Sequence, residues 1–173
     1  MALEDEVREL AEWRAIVELL HLMCELIDSF QLERLVREVY AADGSDNHGG
    51  GPVRGREAIR AWYEDSTRNV AAAAHNLSNL NVAIEGDEAV ARSNATVLIW
   101  TMENADHGRM RTADYVLSIR YVDRLTKYPE GWRIDERRLF PNPSKTGDSH
   151  VLALGELPAS QRGIRSLSER PGS

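Results

Sequence analysis

The feature that most constrains this chain is a change of hydrophobic period near residue 75. Upstream, apolar residues recur at three- and four-residue steps; downstream they alternate. Helical segments followed by a block of strands predict an α+β fold, with helices first and then an antiparallel meander.

The first helical pattern covers residues 2–27, where Leu10, Trp13, Val17, Leu20, Cys24 and Ile27 make one apolar stripe. Asp28 falls four residues beyond Cys24 on the same stripe. An ionised carboxylate on a core-facing stripe needs a partner or a proton, because burying it unpaired is costly. A second helix is predicted over 30–40, with Leu32, Leu35, Val36 and Val39 on one side. The stretch ADGSDNHGGGPVRG breaks it, and a third helix begins at Gly55 and runs to about residue 70.

Strands are predicted over 76–85, 89–102, 111–125 and 131–140, with EGDEA as the first turn and ENADHGR as a loop. Alternation on the first strand puts His75, Leu77, Asn79 and Asn81 on one face and Leu80, Val82 and Ile84 on the other. We expect the polar face to line any pocket and the apolar face to be covered by another subunit, which predicts a homodimer or homotrimer. From residue 141 the composition shifts to Pro, Gly, Ser and charge. Residues 1–140 therefore read as one domain, and 141–173 as a C-terminal extension, partly docked or disordered.

A formal charge of -7 and a pI near 5.3 argue against a nucleic-acid or anionic-membrane surface. Neither a signal sequence nor a membrane span is legible, and the lone Cys24 fits a reducing compartment, so the reading is cytoplasmic. The partner expected is a small hydrophobic molecule. The five histidines have no ligand spacing, so no metal site is predicted. His48 with its three following glycines lacks any G-x-S-x-G partner and reads as a flexible turn.

His75 stands where the alanine tract AAAA meets the first strand. A neutral imidazole can act as a base near neutral pH, and a carboxylate on its other nitrogen would fix the tautomer. The bland alternatives stay open: His75 as a strand cap, Asp28 as a solvated helix end, and Arg137 as part of the charged surface ladder RIDERR.

The pieces IVELLHLMCELID, VRGREAIRAWYED, HNLSNLNVAIEGDEAVARS and YVDRLTKYPEGWRIDERR, in this order, resemble the NTF2-like superfamily and its SnoaL-like group of dehydratases, a dehydrochlorinase and ketosteroid isomerase. The resemblance implies a cone-shaped α+β barrel, with N-terminal helices packed on a strongly curved antiparallel sheet and an apolar pocket at its open end. It implies that Asp28 holds His75, that His75 takes a proton from substrate, and that Arg137, five residues after Trp132, steadies developing negative charge. Met23 stands where relatives carry a Tyr or Lys helper, which leaves Tyr63, Tyr115, Tyr121 or His21 as substitute donors. The expected function is a cofactor-independent lyase, dehydratase-like, or an isomerase, acting on a small hydrophobic cyclic substrate. The alternative is a non-catalytic binding or assembly module of the same fold.

Overall fold

The structure is a computed structural model that describes residues 2–104 and 112–142. Most of the expected 103–109 loop and residues 143–173 of the expected extension, with His107 and His150, lie outside the described residues. The elements run α1 (Leu3–Asp28), α2 (Leu32–Val39), β1 (Tyr40–Asn47), β2 (Val53–Arg54), α3 (Arg56–Ser66), β3 (Val70–Glu85), β4 (Glu88–Thr101), a short 3-10 turn (Met102–Asn104), β5 (Tyr115–Tyr128) and β6 (Gly131–Pro141). Among the described residues, no helix is long and apolar enough to cross a membrane.

The six strands form one open sheet in the order β2-β1-β6-β5-β4-β3. From β3 to β6 it is the expected antiparallel meander. The sheet as a whole is mixed, which corrects the purely antiparallel expectation, because β1 joins β6 in parallel. β1 reads YAADGSDN, a string of turn-forming residues that hides the strand from any pattern of hydrophobicity. Gly44 is required there: a Cβ would sit 2.9 Å from the Ile134 carbonyl oxygen on β6.

The three helices cover one side of the sheet. Ile16, Leu20, Met23 and Leu26 of α1 pack with Leu35, Val39, Ile59, Leu125 and Ile134, all fully buried. Of the predicted stripe, Leu20, Cys24 and Ile27 are core residues, whereas Leu10 is 63% exposed. At 1.5 Å per residue α1 is about 39 Å long, and its first turns outrun the core.

The end of α1 is a Schellman turn. The Phe30 N–H donates to the Ile27 carbonyl at 3.0 Å and the Gln31 N–H to the Leu26 carbonyl at 2.8 Å. Glycine normally takes the left-handed position of that turn, but here it is Phe30, with φ of 55°. A bulky residue there costs roughly 1–2 kcal/mol, so its side chain must be wanted where it lands.

Several boundaries move, among them β5, which is Tyr115–Tyr128 rather than 111–125. α3 ends at Ser66 rather than near residue 70, and the alanine tract belongs to β3. More consequential is a bulge between Ser78 and Asn81, where Asn79 adopts φ of 50°. An extra residue in a strand swaps its faces. Leu80, Val82 and Ile84 therefore share the inner face with His75 and Leu77 and pack on the main core, which corrects the predicted opposition of these two sets. They are not the uncovered face on which the expected dimer or trimer rested.

The bulge gives a direct test. Asn79→Gly should leave stability within about 0.5 kcal/mol of the parent, and Asn79→Val should lower it by about 1–2 kcal/mol, since a β-branched residue resists the left-handed conformation. Urea unfolding midpoints measure both, and equal midpoints for the two variants would contradict the assignment.

Candidate active site

On the helix side of the sheet, the end of α1, α3 and strands β3 to β6 line a cavity of about 210 Å³. Its wall is mostly Ile27, Phe30, Trp62, Val97, Ile119 and Leu139, with His75 and His48 among few polar side chains. The strained Phe30 thus places its ring in the cavity wall. A larger cleft of about 540 Å³ has a charged wall that includes Glu85, Glu88, Arg124 and Asp135, and no histidine lines it. The smaller, apolar cavity is the one that joins titratable rings to a hydrophobic wall.

His75 Nδ1 lies 2.6 Å from Asp28 Oδ1, and the His75 backbone N–H donates to Asp28 Oδ2 at 2.8 Å. Both carboxylate oxygens are therefore taken up by one residue. The pair joins the last residue of α1 to β3, and the helix end carries no basic side chain. A carboxylate at the negative end of a helix dipole is disfavoured by about 0.3–1 kcal/mol, which two charge-assisted hydrogen bonds offset. With Nδ1–H given to Asp28, Nε2 is the nitrogen left to act as a base in the cavity the ring lines.

A second histidine–carboxylate pair borders the same cavity. Asp46 on β1 is buried, and its Oδ2 accepts hydrogen bonds from the Tyr40 hydroxyl at 2.5 Å and the Tyr63 hydroxyl at 3.0 Å. Its Oδ1 lies 3.0 Å from His48 Nε2. The His48 ring stacks on Trp62, with centroids 4.1 Å apart at 25°, and meets Tyr63 edge-on. Burial pushes the Asp46 carboxyl up, but hydrogen bonding and charge from His48, then Arg137 and Tyr40, outweigh it and hold it below its ordinary value. Burial and then the Asp46 charge push the Tyr40 and Tyr63 phenols well up, so both remain donors.

Sequence reasoning took His48 for a turn residue and passed over Asp46, Tyr40 and Trp62. A usable signal was present: Asp46 and His48 are two residues apart, the spacing that puts both on one face of a strand. Neither dyad is joined by a third ligand-type residue; among the described residues no group of three or more His, Cys, Asp or Glu is arranged to hold a metal ion.

Arg137 sits elsewhere. It is fully buried, its Nε and Nη2 donate to the two Asp123 oxygens at 2.7 and 2.8 Å, and its guanidinium lies 4.0 Å from the Tyr121 ring centroid. Its Nη1 rests against the Met23 sulfur. Burial by itself would loosen the Arg137 proton, but the Asp123 carboxylate holds it on, so the charge is kept. Tyr121 lines the cavity and Arg137 stands one layer behind it, not among the lining residues. Met23, in the position where relatives place a helper, is a core contact of Arg137. Of the substitute donors, Tyr63 and Tyr121 reach the cavity wall, whereas His21 is exposed on α1 and Tyr115 is 57% exposed. Cys24, also buried, has its thiol pushed up to about 11 by burial and is inert as a nucleophile.

The sequence matches the family model described as a SnoaL-like domain over residues 8–138. The chain belongs to the SnoaL-like family. This SnoaL-like chain is similar to a solved Mycobacterium tuberculosis protein of unknown function, at 27% identity over 89% of this chain and 84% of that one, with a TM-score of 0.70. An NTF2-like protein with a cystatin-like fold from Novosphingobium aromaticivorans matches at 26% identity, covering 90% and 95%, with a TM-score of 0.64. A candidate scytalone dehydratase from the same organism matches at 22% identity, covering 84% and 92%, with a TM-score of 0.67, a likeness of fold. No curated protein matches the chain. The SnoaL-like assignment and the NTF2-like neighbour at 26% identity place it within the NTF2-like superfamily.

The position of Arg137 makes a testable distinction. Arg137→Met, which leaves Asp123 buried and unpaired, should cost about 3–5 kcal/mol of stability, while the double variant Arg137→Met/Asp123→Leu should recover most of it. Chemical denaturation of both decides; a stable single variant would show that the pair does not hold this layer together.

Proposed function

We propose that this SnoaL-like protein is a proton-abstracting enzyme, a dehydratase-like lyase or an isomerase, with His75 as general base and Asp28 as the residue that orients it. The observation that carries this is the 2.6 Å contact between Asp28 and His75 Nδ1 beside an apolar cavity. The carboxylate keeps the proton on Nδ1 and steadies the imidazolium formed when Nε2 takes a proton from carbon. The apolar wall supports the same reading, since exclusion of water strengthens the interaction between the carboxylate and the ring.

Cavity size bounds the substrate. An apolar cavity of about 150 Å³ admits benzene. At about 210 Å³ this one accommodates a single substituted ring, and its hydrophobic wall selects against charged groups. The proton moves required are all within reach of side chains, so the proposed reaction needs no cofactor. Arg137, one layer back, acts on the site by fixing the Tyr121 ring in the wall rather than by touching the substrate.

The base can be tested before any natural substrate is known. Exchange of the α-hydrogens of cyclohexanone in D₂O, followed by proton NMR, reads carbon-proton abstraction alone. His75→Ala should slow the enzyme-dependent exchange by about 10²–10⁴-fold with the fold intact by circular dichroism. Asp28→Asn, which leaves the ring free to take the wrong tautomer, should slow it by roughly 10²-fold or more. Exchange by His75→Ala at the parent rate would overturn the proposal.

A further inference from the structure

We infer that His48 is a second catalytic residue, the proton donor to a departing oxygen, held in place by Asp46 with Tyr40 and Tyr63 behind it. The inference rests on the reading of His75 as the base and adds the partner that the base needs. Met23 cannot serve as that donor, since a thioether carries no acidic hydrogen and its sulfur meets Arg137.

Three observations carry it. First, His48 lines the same cavity as His75 but arrives from the end of β1, so two imidazoles on separate elements reach one small space. Second, the ring stands on a built support. Asp46 is 1% exposed, and two buried phenols donate to its Oδ2, while Oδ1 lies 3.0 Å from His48 Nε2. A buried carboxylate supplied with hydroxyl donors keeps its negative charge, and that carboxylate stands directly beside the ring. Third, the ring is oriented: stacked on Trp62 and edge-on to Tyr63, it has little freedom to turn away. Nε2 faces Asp46 Oδ1 at 3.0 Å and the Tyr63 hydroxyl at 3.4 Å, so Nδ1 is the nitrogen assigned to give the proton.

Two such groups distinguish between the reactions open to a lone base. An isomerase that carries a proton from one carbon to another can use a single base. A good leaving group such as a halide departs without a proton. A hydroxyl does not, because hydroxide is a poor leaving group and must depart as water. A base and a separate acid in one apolar cavity therefore suit a cyclic β-hydroxy carbonyl compound. His75 Nε2 takes the proton from the carbon next to the carbonyl, and that C–H electron pair becomes the new C=C bond. The C–O bond at the neighbouring carbon breaks, its electron pair leaves with oxygen, and His48 Nδ1 supplies the proton that completes water. The products are the cyclic enone, water, a protonated His75 and a neutral His48, so atoms and charge balance. Proton exchange with solvent resets both rings.

The test compares leaving groups. 3-Hydroxycyclohexanone needs an acid to lose its oxygen, whereas 3-acetoxycyclohexanone loses acetate without one, and both give cyclohex-2-enone, followed by its ultraviolet absorbance. His48→Phe keeps the stacking on Trp62, and His48→Gln keeps polarity. In both variants elimination of water should fall by about 10²-fold or more relative to elimination of acetate. Equal losses on the two substrates, or none, would overturn the role. Parent enzyme that exchanges the cyclohexanone α-hydrogens but does not dehydrate 3-hydroxycyclohexanone would also overturn it and leave the base standing. A parent that does neither overturns the reading of His75 as well.

Discussion

The clamp between Asp28 and His75 is the contact through which helix and sheet become one site. A carboxylate at the negative end of a 26-residue helix is poorly placed for the helix itself. It is well placed for β3, where the backbone N–H and the ring nitrogen of one residue take both its oxygens. The chain must then reverse sharply, and it does so through the left-handed Phe30, whose ring becomes part of the cavity wall. The contact with His75, the turn that follows it and the Phe30 part of the apolar wall all start from one four-residue stretch, 28–31.

Behind the wall lies a layer of buried polarity with a different task. Arg137 and Asp123 neutralise one another on adjacent strands, and the Tyr121 ring separates Arg137 from the cavity. Asp46 is paired in register with Arg137 across β1 and β6, close enough for the positive charge to help hold its carboxyl ionised. The parallel pairing of β1 thus brings the second histidine–carboxylate pair to the cavity. In its place a loop would leave Asp46 in solvent, where neither phenol nor guanidinium could fix its charge.

Much of this was legible in the sequence, and the parts that were not have identifiable physical causes. The helices, the meander and the pairing of Asp28 with His75 follow from periodicity and from the family resemblance, because apolar residues dominate those segments. β1 was hidden because its buried positions hold the polar residues Ser45 and Asp46, which destroys the alternation that reveals a strand. The inner face of β3 was misassigned past Asn79, since a one-residue bulge reverses the alternation without leaving a mark in hydrophobicity. Arg137 was placed at the site by its distance from Trp132, but spacing along a strand does not reveal that an arginine can be fully buried against an aspartate on the next one. At β1 and at Arg137 the pattern failed where a polar residue lies inside for a reason that only the tertiary contact discloses; at β3 it failed at a backbone bulge.

The central claim is that Asp28 sets the state of the His75 ring. Long-range ¹⁵N NMR of the imidazole, with the His75 signals assigned by their loss in His75→Gln, reads which nitrogen carries the proton in the neutral ring. The account predicts a protonated Nδ1 and a bare Nε2 in the parent, with that preference weakened in Asp28→Asn. A parent ring protonated on Nε2 would place no base toward the cavity and would contradict the mechanism at its first step.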